Sequence, residues 1–274
     1  SSRGLIGHLN FNHPNLIQVL GASEVGYLNG LGAASCRAAL DKAATRDLAC
    51  FIVAGAEQVP PPLVEVAESS GTPLFHSPVA SVELMWMLRP YLARALAECS
   101  TAHGVLLDVL GMGVFITGDS GVGKSELALE LVSRGSGLIA DDVVEIYRIG
   151  PETLEGRCPV LLRDFLEVRG LGVLNIRTIF GEAALRPRKN IKLIVHLAKP
   201  ASERATAERL PLNAGSETIM GVDIRRVTIP VAAGRNLAVL TEAAVRNYVL
   251  QLRGFDSTQE FVSRQAEEMQ KRES

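Results

Sequence analysis

The chain has 274 residues, enough for two domains of ordinary size. Its 28 Lys+Arg against 30 Asp+Glu leave a net charge of -2, so no global field attracts a polyanion and nucleic-acid binding is not indicated. Hydrophobic residues make up 47%, yet charges or glycine interrupt every apolar run well before the ~20 residues that span a bilayer, so no membrane segment is expected. Cys36, Cys50, Cys99 and Cys158 form no C-x-x-C pair and have no His cluster nearby. That pattern fits free thiols in a cytoplasmic setting better than zinc or disulfides. The opening Ser1-Ser2-Arg3-Gly4 lacks an initiator Met and the features of a targeting signal, and reads as the trimmed start of a longer chain.

In chain order, Ser35 to Arg46 is Ala-rich and helix-prone, Cys50 to Val53 is a strand candidate, and Pro60-Pro61-Pro62 precedes another helix. Gly71-Thr72-Pro73 is a turn, Leu74-Phe75 a short strand, and Ser81 to Ala97 a long amphipathic helix carrying Trp86. Residues 1–97 thus predict a small α/β domain with no clustered reactive set, for packing or interaction, or else for a second substrate site. A boundary is expected near Glu98 to Thr101, where polar residues follow the helix. Residues 98–274 then open with a strand at Val105–Val109, a turn at Gly111-Met112-Gly113 and a strand at Val114-Phe115-Ile116. Further strands are expected at Leu138–Ala140, Ile191–Leu197 and Val227–Val231, and a helix from Thr241 to about Leu252.

The second of those strands runs into Gly118-Asp119-Ser120-Gly121-Val122-Gly123-Lys124-Ser125, a match to G-x-x-x-x-G-K-[ST]. Leu127, Ala128, Leu131 and Val132 follow at helical spacing until Gly135. The glycines permit a tight turn that aims successive N–H groups inward, at a helix N-terminus where phosphate oxygens are favoured. Lys124 would bridge the β- and γ-phosphates, and the Ser125 hydroxyl would serve Mg²⁺ arriving with a nucleotide.

Asp141-Asp142 ends the run Leu138-Ile139-Ala140, beside the loop. One carboxylate could hold Mg²⁺ through water and the other accept the proton of an attacking hydroxyl. Adjacent residues on a strand point oppositely, so the two are expected to do different jobs. By itself His103 reads as a surface His or a functional candidate. Glu167 to Gly172, with two glycines, reads equally as a loop approaching a ligand or as a solvated turn. Arg186, Arg188 and Lys189 around Pro187 read as a solvated loop before a docking patch, and His196 as a packed core residue.

These residues resemble the bacterial bifunctional HPr kinase/phosphorylase family. His103-Gly104-Val105 leads to Gly118 through Glu126; Ala140-Asp141-Asp142 follows; and Glu167-Val168-Arg169-Gly170-Leu171-Gly172-Val173-Leu174-Asn175-Ile176 resembles the family's signature segment. Weaker agreement continues through Glu208-Arg209-Leu210 and Gly234-Arg235-Asn236 to the last helix. The resemblance implies an α/β fold, with a P-loop kinase domain similar to the phosphoenolpyruvate carboxykinase core and a smaller N-terminal α/β domain. It implies ATP- and Mg²⁺-dependent phosphorylation of a serine on HPr, the phosphocarrier of the sugar phosphotransferase system, or on a paralogue. It also implies phosphorolysis of the phosphoserine by inorganic phosphate, giving pyrophosphate. By position, His103, Lys124, Asp141, Asp142 and Arg209 would be catalytic, with Asp142 the proton acceptor in phosphorylation and the donor in phosphorolysis and Asp141 supporting it or the metal, an assignment the resemblance leaves open to exchange between the two. Ser125 and Glu167 would bind Mg²⁺, and Val231-Ala232-Ala233-Gly234-Arg235-Asn236 would matter chiefly for phosphorolysis. A homo-hexamer is implied, and the tail Ser257 to Ser274 would contact the substrate or a neighbouring subunit. Members usually begin earlier, so part of the N-terminal domain is expected to be absent. Two competing readings are a small-molecule kinase, which would enclose its substrate, and a nucleotide-binding regulatory protein that catalyses no transfer.

Overall fold

A computed structural model describes residues 7–8, 16–44, 48–55, 58–199, 215–232 and 234–273. It divides into two compact units, Ser1–Ala97 and Glu98–Ser274.

The first unit runs β1 (Gly7–His8), β2 (Leu16–Leu20), α1 (Ala22–Gly30), α2 (Ala33–Ala43), β3 (Leu48–Ala54), α3 (Pro61–Ser70), β4 (Leu74–Ser77) and α4 (Ser81–Ala95). Its sheet has the order β1-β2-β3-β4, with β2, β3 and β4 parallel and β1 antiparallel on the edge. Helices crossing between parallel strands cover Phe51 and Val53 of β3 with Leu28, Leu40, Leu63 and Val66. Pro61 at the start of α3 and left-handed Gly71 after its end bound that helix. α4 has a half-buried apolar face, Leu84, Met85, Leu88 and Leu92, at helical spacing. None of its side chains is fully buried, and Trp86 is 78% exposed.

The second unit contains β5 (Glu98–His103), β6 (Val105–Val109), β7 (Met112–Gly118), α5 (Lys124–Ser133), β8 (Gly137–Ala140), β9 (Val143–Gly150) and β10 (Thr153–Arg157). The hairpin β11 (Phe165–Val168) and β12 (Gly172–Asn175) follows, then α6 (Ile176–Phe180), β13 (Arg188–Ala198), β14 (Gly215–Ile219), β15 (Val222–Pro230), α7 (Leu237–Leu252) and α8 (Ser257–Glu273). The main sheet runs β5-β9-β10-β13-β7-β6-β8, with β15 also on β13 and β14 on β15. β13 lies parallel to both β7 and β15. Strand alternation divides the core between the two faces. Val105, Leu107, Val114 and Ile116 pack under α5 and α7 on one face; Leu106 and Phe115 join Ile146, Leu154 and Ile194 on the other.

Several local expectations are corrected. Glu98 to Thr101, at the start of the second unit, form part of a strand, β5, which pairs with β9 along the sheet edge; its polarity follows from its solvent exposure. The β6–β7 turn is Leu110-Gly111, both at positive φ (53° and 85°), so Met112 and Gly113 already belong to β7. α7 starts at Leu237, four residues before Thr241, because the Asn236 side chain accepts the Val239 N–H at 2.9 Å and caps it. The basic residues around Pro187 are paired with acids of the sheet. Arg186 and Lys189 reach Asp108 at 3.5 and 2.9 Å, and Arg188 reaches the buried Glu155 at 3.8 Å.

Candidate active site

β7 ends at Gly118 and α5 begins at Lys124, so the intervening loop sits at a helix N-terminus at the carboxyl end of an interior strand. Glycine is required here by geometry. Gly118, Gly121 and Gly123 have φ of 141°, 74° and 103°, and a Cβ on Gly118 would lie 2.5 Å from the Leu197 carbonyl oxygen. The Lys124 ammonium donates to the Gly118 and Asp119 carbonyls, both at 3.0 Å. Lys199, just past β13, holds the Asp119 carboxylate at 3.3 Å. Nothing in the local sequence pointed to Lys199, because that contact depends on the parallel pairing of β7 with β13.

The two aspartates occupy the bend between β8 and β9 and have different surroundings. Asp141 is 7% exposed. Its Oδ1 accepts from Ser125 Oγ at 3.2 Å and its Oδ2 from the Glu167 N–H at 2.9 Å, so one carboxylate joins the start of α5, the end of β8 and the β11–β12 hairpin. Burial pushes its carboxyl above the usual aspartate value, against the opposing pull of those hydrogen bonds. Asp142 instead has a left-handed backbone, φ 63°, and its side chain is 76% exposed. Its Oδ1 lies 3.7 Å from His103 Nδ1. The bend, rather than strand alternation, separates them: the Gly104 N–H donates to the Asp142 carbonyl and the Val143 N–H to that of Asp141. His103 arrives because β5 pairs with β9 in the register that sets His103 opposite Val143.

Glu167 to Gly172, expected as a loop, belongs to a β-hairpin whose turn is Arg169-Gly170-Leu171. Leu166 and Val168 are buried in the core, which leaves Glu167 and Arg169 on the opposite, open face. Lys124, Ser125, Asp141, Asp142, Glu167 and Arg169 all line one cleft of about 410 Å³. The rest of the signature segment is partly structural: Ile176 is fully buried and Asn175 caps α6 by accepting the Thr178 N–H at 3.0 Å.

A slightly larger cavity, about 460 Å³, lies between β15 and α7; it shares no residue with the phosphate loop and no carboxylate lines it. The acids and the phosphate loop converge in the smaller cleft.

Val231 follows the end of β15, at the carboxyl ends of β7 and β13, as the pairings Gly118 with Leu197 and Ala198 with Pro230 require. Of the described residues in the segment Val231 to Asn236, none lines the cleft. Arg209 and Ala233 lie outside the described residues. His196, expected in the core, is only half-buried and shares a hydrogen bond with Thr117 at 3.0 Å. Its pKa is lowered, first by burial and then by the positive charge of Arg226.

Two family models match this chain, the HPr Serine kinase N terminus over residues 1–92 and the HPr Serine kinase C-terminal domain over residues 94–265. The chain belongs to the HPr kinase/phosphorylase family. An HPr kinase/phosphorylase of Nitrosomonas europaea is 63% identical over 270 residues, 98% of this chain and 84% of that protein. One from Chromobacterium violaceum is 59% identical over 261 residues, 95% of this chain and 82% of the relative. The solved Hpr(Ser) kinase/phosphatase of Coxiella burnetii superposes with a TM-score of 0.52 at 35% identity, covering 59% of this chain and 98% of that one. As a member of the HPr kinase/phosphorylase family, the chain is an enzyme, a serine kinase/phosphorylase. Its mixed α/β architecture, with a small N-terminal part and a larger sheet-bearing part, agrees with that assignment.

Proposed function

We propose that the chain transfers the γ-phosphoryl group of ATP to a serine hydroxyl of an HPr-like phosphocarrier protein, and that the same site runs phosphorolysis with inorganic phosphate. The observation that carries this reading is the division of labour between the aspartates: Asp141 is buried and fully engaged, while Asp142 stands open beside His103 on the rim of the cleft.

In the forward direction the serine oxygen forms a bond to the γ-phosphorus as the bond from that phosphorus to the β–γ bridging oxygen breaks. Asp142 takes the hydroxyl proton, and ADP leaves with the electron pair. In reverse, an oxygen of inorganic phosphate attacks the phosphoserine phosphorus, Asp142 returns its proton to the serine oxygen, and pyrophosphate leaves. His103, 3.7 Å away, orients the Asp142 carboxylate. The loop N–H groups and Lys124 hold the polyphosphate, with Arg209 as a further cation. Val231 to Asn236 serve phosphorolysis from the neighbouring strand ends.

The donor set fits Mg²⁺, because the Ser125 hydroxyl and the exposed Glu167 carboxylate are hard oxygen ligands lining the same cleft. Asp141 sets the positions of both through its two hydrogen bonds. Among the described residues no cluster of three His, Cys, Asp or Glu forms a protein-only cage, a composition suited to an ion that shares its ligands with a nucleotide. When bound, the ion would neutralise phosphate charge.

On this reading residues 98–274 form the catalytic domain and residues 1–97 an accessory one. The resemblance extends the proposal to a homo-hexamer that regulates sugar uptake from the cytoplasm, with neither membrane nor nucleic acid as partner. Among the described residues no helix is long and apolar enough to cross a membrane. The test incubates the chain with ATP, Mg²⁺ and an HPr-like protein and reads phosphoserine by mass, then supplies the phosphoprotein and inorganic phosphate and reads pyrophosphate. Phosphoserine from the chain but not from Lys124→Ala is expected. ATP binding without transfer to the carrier would overturn the proposal.

A further inference from the structure

The charges that converge on the phosphate loop are unfavourable for a polyphosphate. Glu126, Asp141, Asp142 and Glu167 line the cleft against only two cations, Lys124 and Arg169. Asp119, the second residue of the loop, adds a fifth carboxylate to that excess. Its backbone is turned into the loop: the Asp119 carbonyl accepts from the Lys124 ammonium at 3.0 Å and from the Val122 N–H at 3.3 Å. Its side chain does not line the cleft and is 71% exposed, and there Lys199 meets it at 3.3 Å.

The position of Lys199 is built into the sheet. Successive contacts bring the end of β13 against the start of the loop: His196 shares a hydrogen bond with Thr117 at 3.0 Å, the Leu197 carbonyl oxygen packs so close to Gly118 that a Cβ there would lie 2.5 Å away, and Lys199 reaches Asp119. The first two follow from the parallel register of β7 and β13, which pairs His196 with Thr117 and Leu197 with Gly118. An ion pair this exposed contributes little to folding, so stability is a poor account of the lysine. Its charge has a second use. A carboxylate borne by an anion cradle repels phosphate unless a cation neutralises it.

We infer that Lys199 is a positioning residue of the phosphate site, which holds the Asp119 carboxylate on the outer side of the loop and cancels its repulsion of the polyphosphate; this rests on the phosphotransfer reading above. Lys199 acts through Asp119 and not by touching phosphate. Because the effect is one of charge across solvent, it fades with ionic strength, as the Debye length falls from about 30 Å at 0.01 M salt to about 3 Å at 1 M. It bears alike on the bound ground state and on the transition state, so Lys199 governs KM rather than kcat. The compensation serves both directions, since ATP and pyrophosphate occupy the same cradle.

The test measures ADP and pyrophosphate affinity by calorimetry, and kcat and KM for ATP, in Lys199→Ala, Lys199→Arg and the double variant Lys199→Ala with Asp119→Asn, at low and high salt. At low salt Lys199→Ala is expected to weaken both ligands about 3–10-fold and to raise KM in parallel, with kcat within about twofold of normal. Arginine is expected to keep normal affinity. Adding Asp119→Asn to Lys199→Ala is expected to bring affinity back to within about twofold of the unmodified chain, because the carboxylate that needed compensation is gone. The differences are expected to shrink below about twofold near 1 M salt, and melting temperatures to hold within about 2 °C. Unchanged affinity of Lys199→Ala at low salt would overturn the inference. So would a double variant as weak as Lys199→Ala alone, which would put the lysine on the phosphate itself. Either result leaves the phosphotransfer reading intact, whereas absence of transfer by the unmodified chain would overturn both.

Discussion

Asp142 Oδ1 stands 3.7 Å from His103 Nδ1, with both side chains open to solvent, while its neighbour Asp141 is 7% exposed and committed to Ser125 and to the Glu167 N–H. Two adjacent carboxylates are thereby given different work. On the proposed mechanism the base must reach a substrate proton, and Asp142 is the more open of the two.

Asp142→Asn is accordingly expected to lower the rate about 10²–10⁴-fold in both directions with the melting temperature unchanged. Asparagine tolerates the left-handed backbone at this position as aspartate does, so the change isolates the proton transfer. Asp141→Ala is expected to lower both activity and melting temperature, since it removes the acceptor that Ser125 Oγ and the Glu167 N–H share. Full activity of Asp142→Asn in either direction would reject the shared base.

Glu167→Gln tests the metal assignment. The side chain is exposed, so folding is expected to be unaffected, while the Mg²⁺ concentration for half-maximal transfer rises about 10–100-fold. A metal titration of the transfer rate measures this. An unchanged Mg²⁺ requirement would remove Glu167 from the ligand set.

Gly118→Ala is expected to destabilise the fold by roughly 1–3 kcal/mol, because the added Cβ meets the Leu197 carbonyl oxygen at 2.5 Å where β7 pairs with β13. Gly170→Ala, also at positive φ (85°) but with open space around it, is expected to cost about 1 kcal/mol at most. Denaturant melts of the two variants separate a steric clash from backbone strain.

Glu242 fastens α7 to the end of α5, accepting from Arg134 Nε at 2.8 Å and Nη2 at 3.0 Å. Those hydrogen bonds, with the charge of Arg134 and a weaker contribution from Arg246, hold its carboxyl below the usual glutamate value. A folded pKa below the unfolded one means that the stabilisation is complete above the ordinary glutamate range and is lost as pH falls through the folded value. Glu242→Gln is therefore expected to lower the melting temperature by roughly 1–3 °C at neutral pH, a gap that closes in acid. A gap that persists unchanged in acid would show that the pair contributes through packing alone.

Much of the fold was open to reading in the chain. The strand into Gly118, the helix from Lys124 and the buried strand around Ile191 to Leu197 follow from apolar periodicity and glycine placement. The misreadings share a cause. β5 is an exposed edge, the β11–β12 hairpin buries only two residues, and the basic residues around Pro187 find partners distant in sequence, Asp108 and Glu155. In each case tertiary pairing determines the environment, and composition reports only exposure.

The phosphate cradle is a property of eight consecutive residues, because its glycines, its lysine and its hydroxyl act through local backbone conformation; the sequence by itself was sufficient to place it. The different surroundings of Asp141 and Asp142, the approach of His103 and the position of Arg169 required the folded chain. They depend on β5 pairing with β9 and on a hairpin docked by one carboxylate, contacts between segments 26 or more residues apart whose register no local pattern specifies.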